Sequence, residues 1–582
     1  MNQIPHIEKY RHSLAHLLAA AVLELWPGTK NTIGPAVENG FYYDFEFKEP
    51  ISEKEFNKIE QKMRELLKTW DEFSHKEVSA EEAREHFKDN PYKLELIDEI
   101  VAKGEKITLY TSGNFTDLCR GGHVENPKKD IASNSFKLER VAGAYWRGDE
   151  NNTMLTRVYG YAFETKEELD AHLLMMEEAR KRDHKKLGKE LDLFIFSELV
   201  GPGLPIYTFK GAALRKQIIN FSNELQKEIG FQEVHTPNMN KAELFKVSGH
   251  YEKYREDMFQ VSSQYTKEEY FLKPMNCPQH TQVYASKKRS YRDLPIRIAD
   301  FANLYRDEKP GQLSGLTRLR AFAQDDGHVF CREDQIKQEF MSVLGAINKA
   351  LKAYGMTYKI RFSTWDPEQK EKYLGDPETW EKSQKLLEEI LVENKLDYVL
   401  GIGEAAIYGP KMDLITKDSI GREWQISTIQ LDFIMPQRFD LTYTDSDGKE
   451  KTPVMIHRAL VGSPERFMGI LIEHYAGNFP IWLAPVQVKV IPIRENHNEF
   501  AEEIAAALRD HDIRVEIDTT DEGFGKKVRA AKVEKIPYWL VIGDKELEAK
   551  KATLESRDKG QLGQFDIEHL LTQLLTEIKE RK

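Results

Sequence analysis

YRDEKPGQLSGLTRLRAFAQDDGH, residues 305–328, is the stretch on which the reading of this chain turns. It predicts a strand, a long Gly-containing loop and a return strand from Leu319. Side chains two apart on a strand share a face. Arg306 and Glu308 are therefore expected together on the outgoing strand, and Phe322, Gln324, Asp326 and His328 together on the return. Such a row has little use as core. It suits a nucleotide instead, with an arginine for a phosphate, a carboxylate for an exocyclic amine and a ring to stack on a base. An isolated R-x-E is more often a solvated hairpin, so other segments have to decide.

The first of these is IHRALVGSPERFMGILIEHY, residues 456–475. It opens with His457, turns at Gly462-Ser463-Pro464 and continues at helical spacing through Phe467, Ile470 and Leu471. Arg466 falls in the first turn of that helix, where the dipole favours an anion. Upstream, LRKQIINFSNELQKEI (214–229) predicts an amphipathic helix with an apolar stripe at Leu214, Ile218, Phe221 and Leu225; it stops at Gly230, before a strand to Pro237. On its own the stripe reads as internal core. Taken in order, the three segments resemble motifs 1, 2 and 3 of the class II aminoacyl-tRNA synthetases. That resemblance implies an antiparallel-sheet catalytic domain and a homodimer formed through the 214–237 unit.

Four segments, two of them inside the stretches already quoted, resemble the threonyl branch of that class: KPMNCPQH (273–280), AFAQDDGH (321–328), GREWQISTIQLDF (421–433) and IHRALVGSPERF (456–467). Taken alone, Cys277, His328 and His457 are weak metal evidence, and a buried structural cysteine is the commoner case. The resemblance makes them ligands of one Zn²⁺ per subunit, with an open position for substrate. It assigns catalysis to Arg306, Arg466 and Gln324. ATP, arriving with Mg²⁺, falls to Arg306, Glu308, Arg318, Phe322, Gln425 and Arg466, and threonine to Met275, Asp326, Tyr408 and Gln430. The implied reaction is ligation of L-threonine to tRNA(Thr) through an adenylate. A site that binds the threonine hydroxyl rejects valine by about 10⁴–10⁵, whereas serine, one methyl smaller, is disfavoured by only roughly 10–200-fold. Accuracy against serine therefore needs a second site.

The N-terminal region offers one. YRHSLAHLLAAAVLELWPG (10–28) has basic residues ahead of an apolar run, but His16 and Glu24 interrupt it and ordinary soluble sequence follows, so a signal peptide is rejected. It reads as an amphipathic helix with His12 and His16 on one face. FTDLCRGGHVEN (115–126) repeats the spacing with Cys119 and His123. Four such residues could equally hold a structural zinc. They resemble the editing domain of the threonyl and alanyl synthetases, in which Lys93 and Asp117 match further pocket positions, and this implies hydrolysis of Ser-tRNA(Thr). Whether a metal sits there stays open.

At 582 residues the chain has room for about four domains. The expected fold is multidomain α+β and α/β: an editing domain at 1–163, a helical linker at 164–190, the catalytic domain at 191–484 and an α/β anticodon-binding domain at 485–582. The last is read from strands and helices alternating at βαβ spacing after VQVKVIPI (486–493). There the resemblance places anticodon contacts at Glu548 and Arg557. Net charge −12 and pI near 5.9 argue against generic nucleic-acid binding, so tRNA contacts are expected from local basic patches at 177–190 and 526–535. Three cysteines form no disulfide framework and no stretch approaches a membrane span; cytoplasmic location is the expectation.

The resemblance is to a form without the small TGS domain that bacterial members usually carry. Gln279, Ala321 and Gly122 depart from the family's usual Gly, Gly and Pro. Two rival readings are a regulatory homologue that has lost catalysis and a stand-alone hydrolase of mischarged tRNA. Arg306 and Arg466 speak against the first, and the intact Cys277, His328 and His457 against the second.

Overall fold

In a computed structural model that describes residues 4–418 and 421–582, the chain divides into two compact units, with the division between 177 and 178. The first is built on α1 (His6–Leu25), whose residues from Ser13 to Val22 are all buried. A helix buried around its whole girth is a core helix. The one-sided amphipathic helix expected from the sequence is therefore the central rod of the unit. It packs on Phe41, Tyr43 and Phe45 of β1 (Gly40–Glu46) and on Ile59 and Met63 of the helix Phe56–Leu67. β1 pairs antiparallel with Met154–Ala162, which pairs in turn with Phe136–Tyr145. A three-stranded sheet is formed by Ser74–Val78, Ile107–Ser112 and Phe115–Leu118. The helix α2 (Pro91–Ala102) starts at Asn90, whose side chain caps it by accepting the Lys93 amide. Phe115–Leu118 is β2.

Residues 164–190 hold two helices, Lys166–Arg182 and α3 (His184–Glu190), and the division between the units falls inside the first. In the second unit α4 (Phe209–Glu228) buries Leu214, Ile218, Phe221 and Leu225 in a core shared with Val343 and Ile347. The stripe is thus spent inside the chain, and a dimer contact would have to use other faces of this segment. The strand expected to run to Pro237 is only Gln232–Glu233.

The main sheet has eight strands. Its order is Gln232–Glu233, β3 (Ile296–Tyr305), β4 (Ala321–Cys331), β6 (Val454–Ala459), β5 (Glu423–Asp432), Lys411–Lys417, Tyr358–Thr364 and Tyr398–Ile402. Its six inner strands are antiparallel, and only the two edge pairs are parallel. Against this sheet stand α5 (Cys277–Ala285) and α6 (Pro464–His474), which carry site residues.

One expectation fails at the motif 2 hairpin. β3 ends at Tyr305 and β4 begins at Ala321, so Arg306 and Glu308 belong to the loop and share no strand face. Arg320 holds them in place, since its carbonyl accepts the Arg306 N–H and its guanidinium donates to the Glu308 carbonyl at 2.9 and 3.0 Å.

The C-terminal part forms the expected small sheet, with Val515–Ile517, Val488–Pro492 and Tyr538–Ile542 parallel. Two further strands, Ala552–Ser556 and Gly560–Phe565, extend it antiparallel and were not foreseen. Among the described residues no helix is long and apolar enough to cross a membrane.

Candidate active sites

Strand pairing assembles the synthetic site. His328 of β4 lies opposite His457 of β6, which lies opposite Gln430 of β5, so residues more than a hundred apart form one row across three strands. The period of two along β4 sends Phe322, Gln324 and Asp326 to the same side. They face two adjoining cavities. One, of about 260 Å³, is lined by Arg306, Glu308, Arg318, Phe322, Gln425 and Arg466. The other, of about 130 Å³, is lined by Met275, Cys277, Asp326, His328, Tyr408 and His457. Arg306, Gln324, Thr428 and Gln430 line both.

The larger cavity is built for an anion. Arg306 lies with its guanidinium 5.2 Å from the Phe322 ring centre. Burial lowers the pKa of Arg306 and of Arg466, and neighbouring arginines push Arg466 further down. Arg318 pairs with Glu308 at 2.8 Å. Three guanidiniums around one carboxylate leave an excess of positive charge, which a polyphosphate would neutralise.

The smaller cavity holds the sulfur and two imidazoles. Cys277, His328 and His457 are all buried and their donor atoms lie within 4.8 Å of one another. His457 Nε2 is 2.9 Å from Asp432 Oδ2, and His328 Nδ1 is 2.7 Å from His280 Nδ1. These outer contacts leave His328 Nε2 and His457 Nδ1 facing each other at 3.0 Å. One free nitrogen on each ring, oriented from behind, beside a thiol is a donor set that fits a divalent zinc-like ion. Tyr408 stacks on His457 with ring centres 4.4 Å apart, and its hydroxyl donates to Gln430 Oε1 at 2.6 Å. Burial pushes Asp326 up to about 7 against the pull of Arg458.

Sequence reasoning assigned no role to His280 or Asp432, although both lay inside segments it quoted. His280 is three residues after Cys277 at the start of α5, a same-face spacing that would have pointed to it. Asp432 is recognisable only through the β5–β6 register. Gln279, at one departure from the family pattern, donates to the Pro237 carbonyl and to Asn240 Oδ1, each at 2.7 Å.

The N-terminal cluster also assembles. His12 and His16 stand one turn apart on α1 with their Nε2 atoms 3.2 Å apart, and Cys119 Sγ is 3.3 Å from His123 Nε2 and 3.7 Å from His12 Nε2. Lys93 of α2 pairs with Asp117 of β2 at 2.5 Å, both fully buried. Tyr43 of β1, unassigned by sequence, donates to the same carboxylate. His16 Nδ1 lies 3.6 Å from it. All but His123 line a cavity of about 380 Å³. Burial raises the Cys119 thiol to about 11 and, with the neighbouring imidazoles, lowers His123 to about 2, so both are neutral at neutral pH. Gly122 has φ +86°, which the family's proline, fixed near −65°, cannot adopt.

Glu548 and Arg557 are not brought together. They flank the strand Ala552–Ser556, which spans roughly 17 Å. Glu548 is exposed on a short helix. Arg557 pairs with Asp558 at 2.9 Å and donates to the Phe479 and Lys535 carbonyls. In the basic stretch at 526–535, Lys527 is likewise absorbed, bonding the Pro492 and Asp518 carbonyls.

Three family models match the chain: tRNA synthetase class II core domain (G, H, P, S and T) over 259–475, anticodon binding domain over 487–577, and threonyl and alanyl tRNA synthetase second additional domain over 107–159. The threonine–tRNA ligase of Thermotoga maritima is 48% identical over 579 residues, covering 99% of this chain and 89% of that protein. That of Deinococcus radiodurans is 48% identical over 556 residues, covering 94% and 85%. Among solved structures, the RNA binding domain of threonyl-tRNA synthetase from Cryptosporidium parvum superposes with TM-score 0.65 at 37% identity, covering 68% of this chain and 98% of that one. The class II motifs on one antiparallel sheet, the N-terminal His/Cys cluster and these similarities together place the chain in the threonyl-tRNA synthetase family.

Proposed function

We propose that the chain joins L-threonine to tRNA(Thr) at the expense of ATP and hydrolyses Ser-tRNA(Thr) made in error. The observation that carries this reading is the pair of adjoining cavities sharing Arg306, Gln324, Thr428 and Gln430. ATP occupies the arginine-lined one, with adenine on Phe322 and its amine toward Glu308. Threonine occupies the other, beside Asp326, Tyr408 and Gln430. Where the cavities meet, the threonine carboxylate attacks the α-phosphate, the bond to the β-phosphate breaks and pyrophosphate leaves; Arg306 and Gln324 hold the reacting groups, and Arg466 and Arg318 offset charge on the ATP tail with Mg²⁺. The threonyl group is then transferred from the adenylate to a hydroxyl of the terminal ribose of tRNA, and AMP leaves.

Zn²⁺ held by Cys277, His328 and His457 would supply an open Lewis-acid position for the threonine amine and hydroxyl. The protein's part is to fix that donor set through His280 and Asp432, and to exclude water by burial. In the editing cavity the neutral thiol of Cys119 is a poor nucleophile. His12, His16 and His123 therefore serve to bind and orient water and the mischarged ester, with Lys93 and Asp117 fixing the pocket wall. Glu548 and Arg557 are offered for the anticodon, Arg557 only if it leaves its present partners. A homodimer through the 214–237 segment and a cytoplasmic setting beside translation complete the reading. Charging of a tRNA(Thr) transcript with radiolabelled threonine is its test, and failure to charge under conditions that support ATP binding would refute it.

A further inference from the structure

His184 lies outside the three motifs and has no role so far. It opens α3 and is buried. Its Nε2 accepts the Leu316 backbone N–H at 3.0 Å, and its Nδ1 lies 2.7 Å from Glu473 Oε1. A backbone amide can only donate, so Nε2 carries the lone pair and the proton on Nδ1 is donated to Glu473. Burial lowers the His184 pKa to about 4, which keeps this neutral tautomer at neutral pH.

The chain segment that His184 holds belongs to the larger cavity. Leu316 and Thr317 both line it, and the Thr317 carbonyl accepts from Arg466 Nε at 3.0 Å. Arg466 and Glu473 lie on α6, about 10 Å apart along its axis at the α-helical rise. The same helix thus grips the Leu316–Thr317 turn twice, directly through Arg466 and indirectly through Glu473 and His184. The approach is close enough that a Cβ on Gly315, whose φ is +49°, would stand 2.2 Å from His184 Nε2.

We infer that His184 is a positioning residue of the ATP site: it fixes the Leu316–Thr317 turn and, through the Thr317 carbonyl, aims Arg466 into the cavity. The inference rests on the assignment of that cavity to ATP.

The test is threonine-dependent ATP–pyrophosphate exchange with the full chain, with KM measured for ATP and for threonine. His184→Asn keeps a donor where Nδ1 was and removes the acceptor for Leu316. His184→Gln places its amide oxygen where Nε2 was. Loss of the acceptor should raise the KM for ATP by about tenfold, the usual scale for a buried amide left without a partner. The KM for threonine and the zinc content should stay at parental values, while the melting midpoint should fall by no more than a few degrees. His184→Gln should recover most of the loss. Gly315→Ala, which drives a methyl into His184, should give the same ATP-specific defect and stands in if His184→Asn does not fold. Parental ATP kinetics in the folded variants, or a fall confined to kcat, overturns the inference. Arg466→Lys separates the two levels: if it raises the KM for ATP while the His184 variants do not, only the role of His184 falls. If it leaves the KM for ATP untouched, the assignment of the cavity falls as well.

Discussion

Glu465→Gln should weaken ATP use without touching any ligand. Glu465 is buried, and it joins three segments at once. Its Oε1 accepts from Arg215 of α4 at 2.9 and 2.8 Å, and its Oε2 accepts the Ala323 N–H of β4 and the Ser463 hydroxyl, each at 2.9 Å. Ala323 lies between Phe322 and Gln324, both of which line the larger cavity proposed for ATP. Glutamine preserves the shape, but one of its ends must present an N–H to a donor. If the amide turns toward Arg215, a charge-assisted bond is lost, worth about 1.5–3 kcal/mol, and the lower half applies because Arg215 is partly exposed and water can replace the partner. If it turns toward Ala323, a buried backbone amide is orphaned at a cost of about 1–3 kcal/mol. Either way the loss is about 2 kcal/mol, equivalent to roughly 30-fold if all of it falls on transition-state binding. Steady-state exchange at varied ATP should show kcat/KM down by about 3–30-fold, and a thermal melt should show the catalytic unit's midpoint down by a few degrees. Arg215→Ala added to Glu465→Gln should cost little more than either alone where the amide faces Arg215, because both then remove one bond, and should add in full where it faces Ala323. Parental kinetics and melting would refute the reasoning.

Cys277→Ala should lose zinc and threonine activation together. Sharing the ~10–16 kcal/mol of a four-ligand zinc site equally gives about 2.5–4 kcal/mol per ligand, or a ~10²–10³-fold weaker site by chelator competition; full occupancy at low micromolar protein would reject the ligand set. Light scattering at micromolar concentration should report a dimer, and a monomer would contradict the interface proposed at 214–237. His12→Ala combined with Cys119→Ala should leave threonine activation near parental while Ser-tRNA(Thr) accumulates; equal deacylation by both proteins would make the cluster structural. Iodoacetamide should label Cys119 slowly at pH 8, because a thiol raised to about 11 is almost wholly protonated there and stays so until the pH approaches that value. Rapid labelling would show a thiolate and reopen the nucleophile question.

The parts of the site legible in the sequence were those governed by local spacing. Alternation from Phe322 to His328 placed four side chains on one side of β4, and the i, i+4 spacing of His12 and His16 survives on α1. What escaped depended on distant pairing. Asp432 reaches His457 only through the β5–β6 register, and Tyr43 reaches Asp117 across separate sheets of the first unit. The placement of Arg306 and Glu308 on a strand failed because the strand stops at Tyr305, where Arg320 gathers the chain into a loop that no alternation rule describes. The amphipathic reading of α1 failed because the polar residues of its middle turns, Ser13 and His16, are themselves buried, one bonded to the backbone of Lys9 and the other beside Asp117. Glu548 and Arg557 came from resemblance alone, and the strand between them was invisible to the βαβ pattern.

Amino-acid-dependent ATP–pyrophosphate exchange with threonine, serine and valine tests the central claim most directly. A hydroxyl bound among Asp326 and the Cys277, His328 and His457 donors should give strong exchange with threonine, exchange with serine lower by roughly 10–200-fold, and exchange with valine lower by about 10⁴–10⁵. Exchange with valine comparable to that with threonine would contradict it.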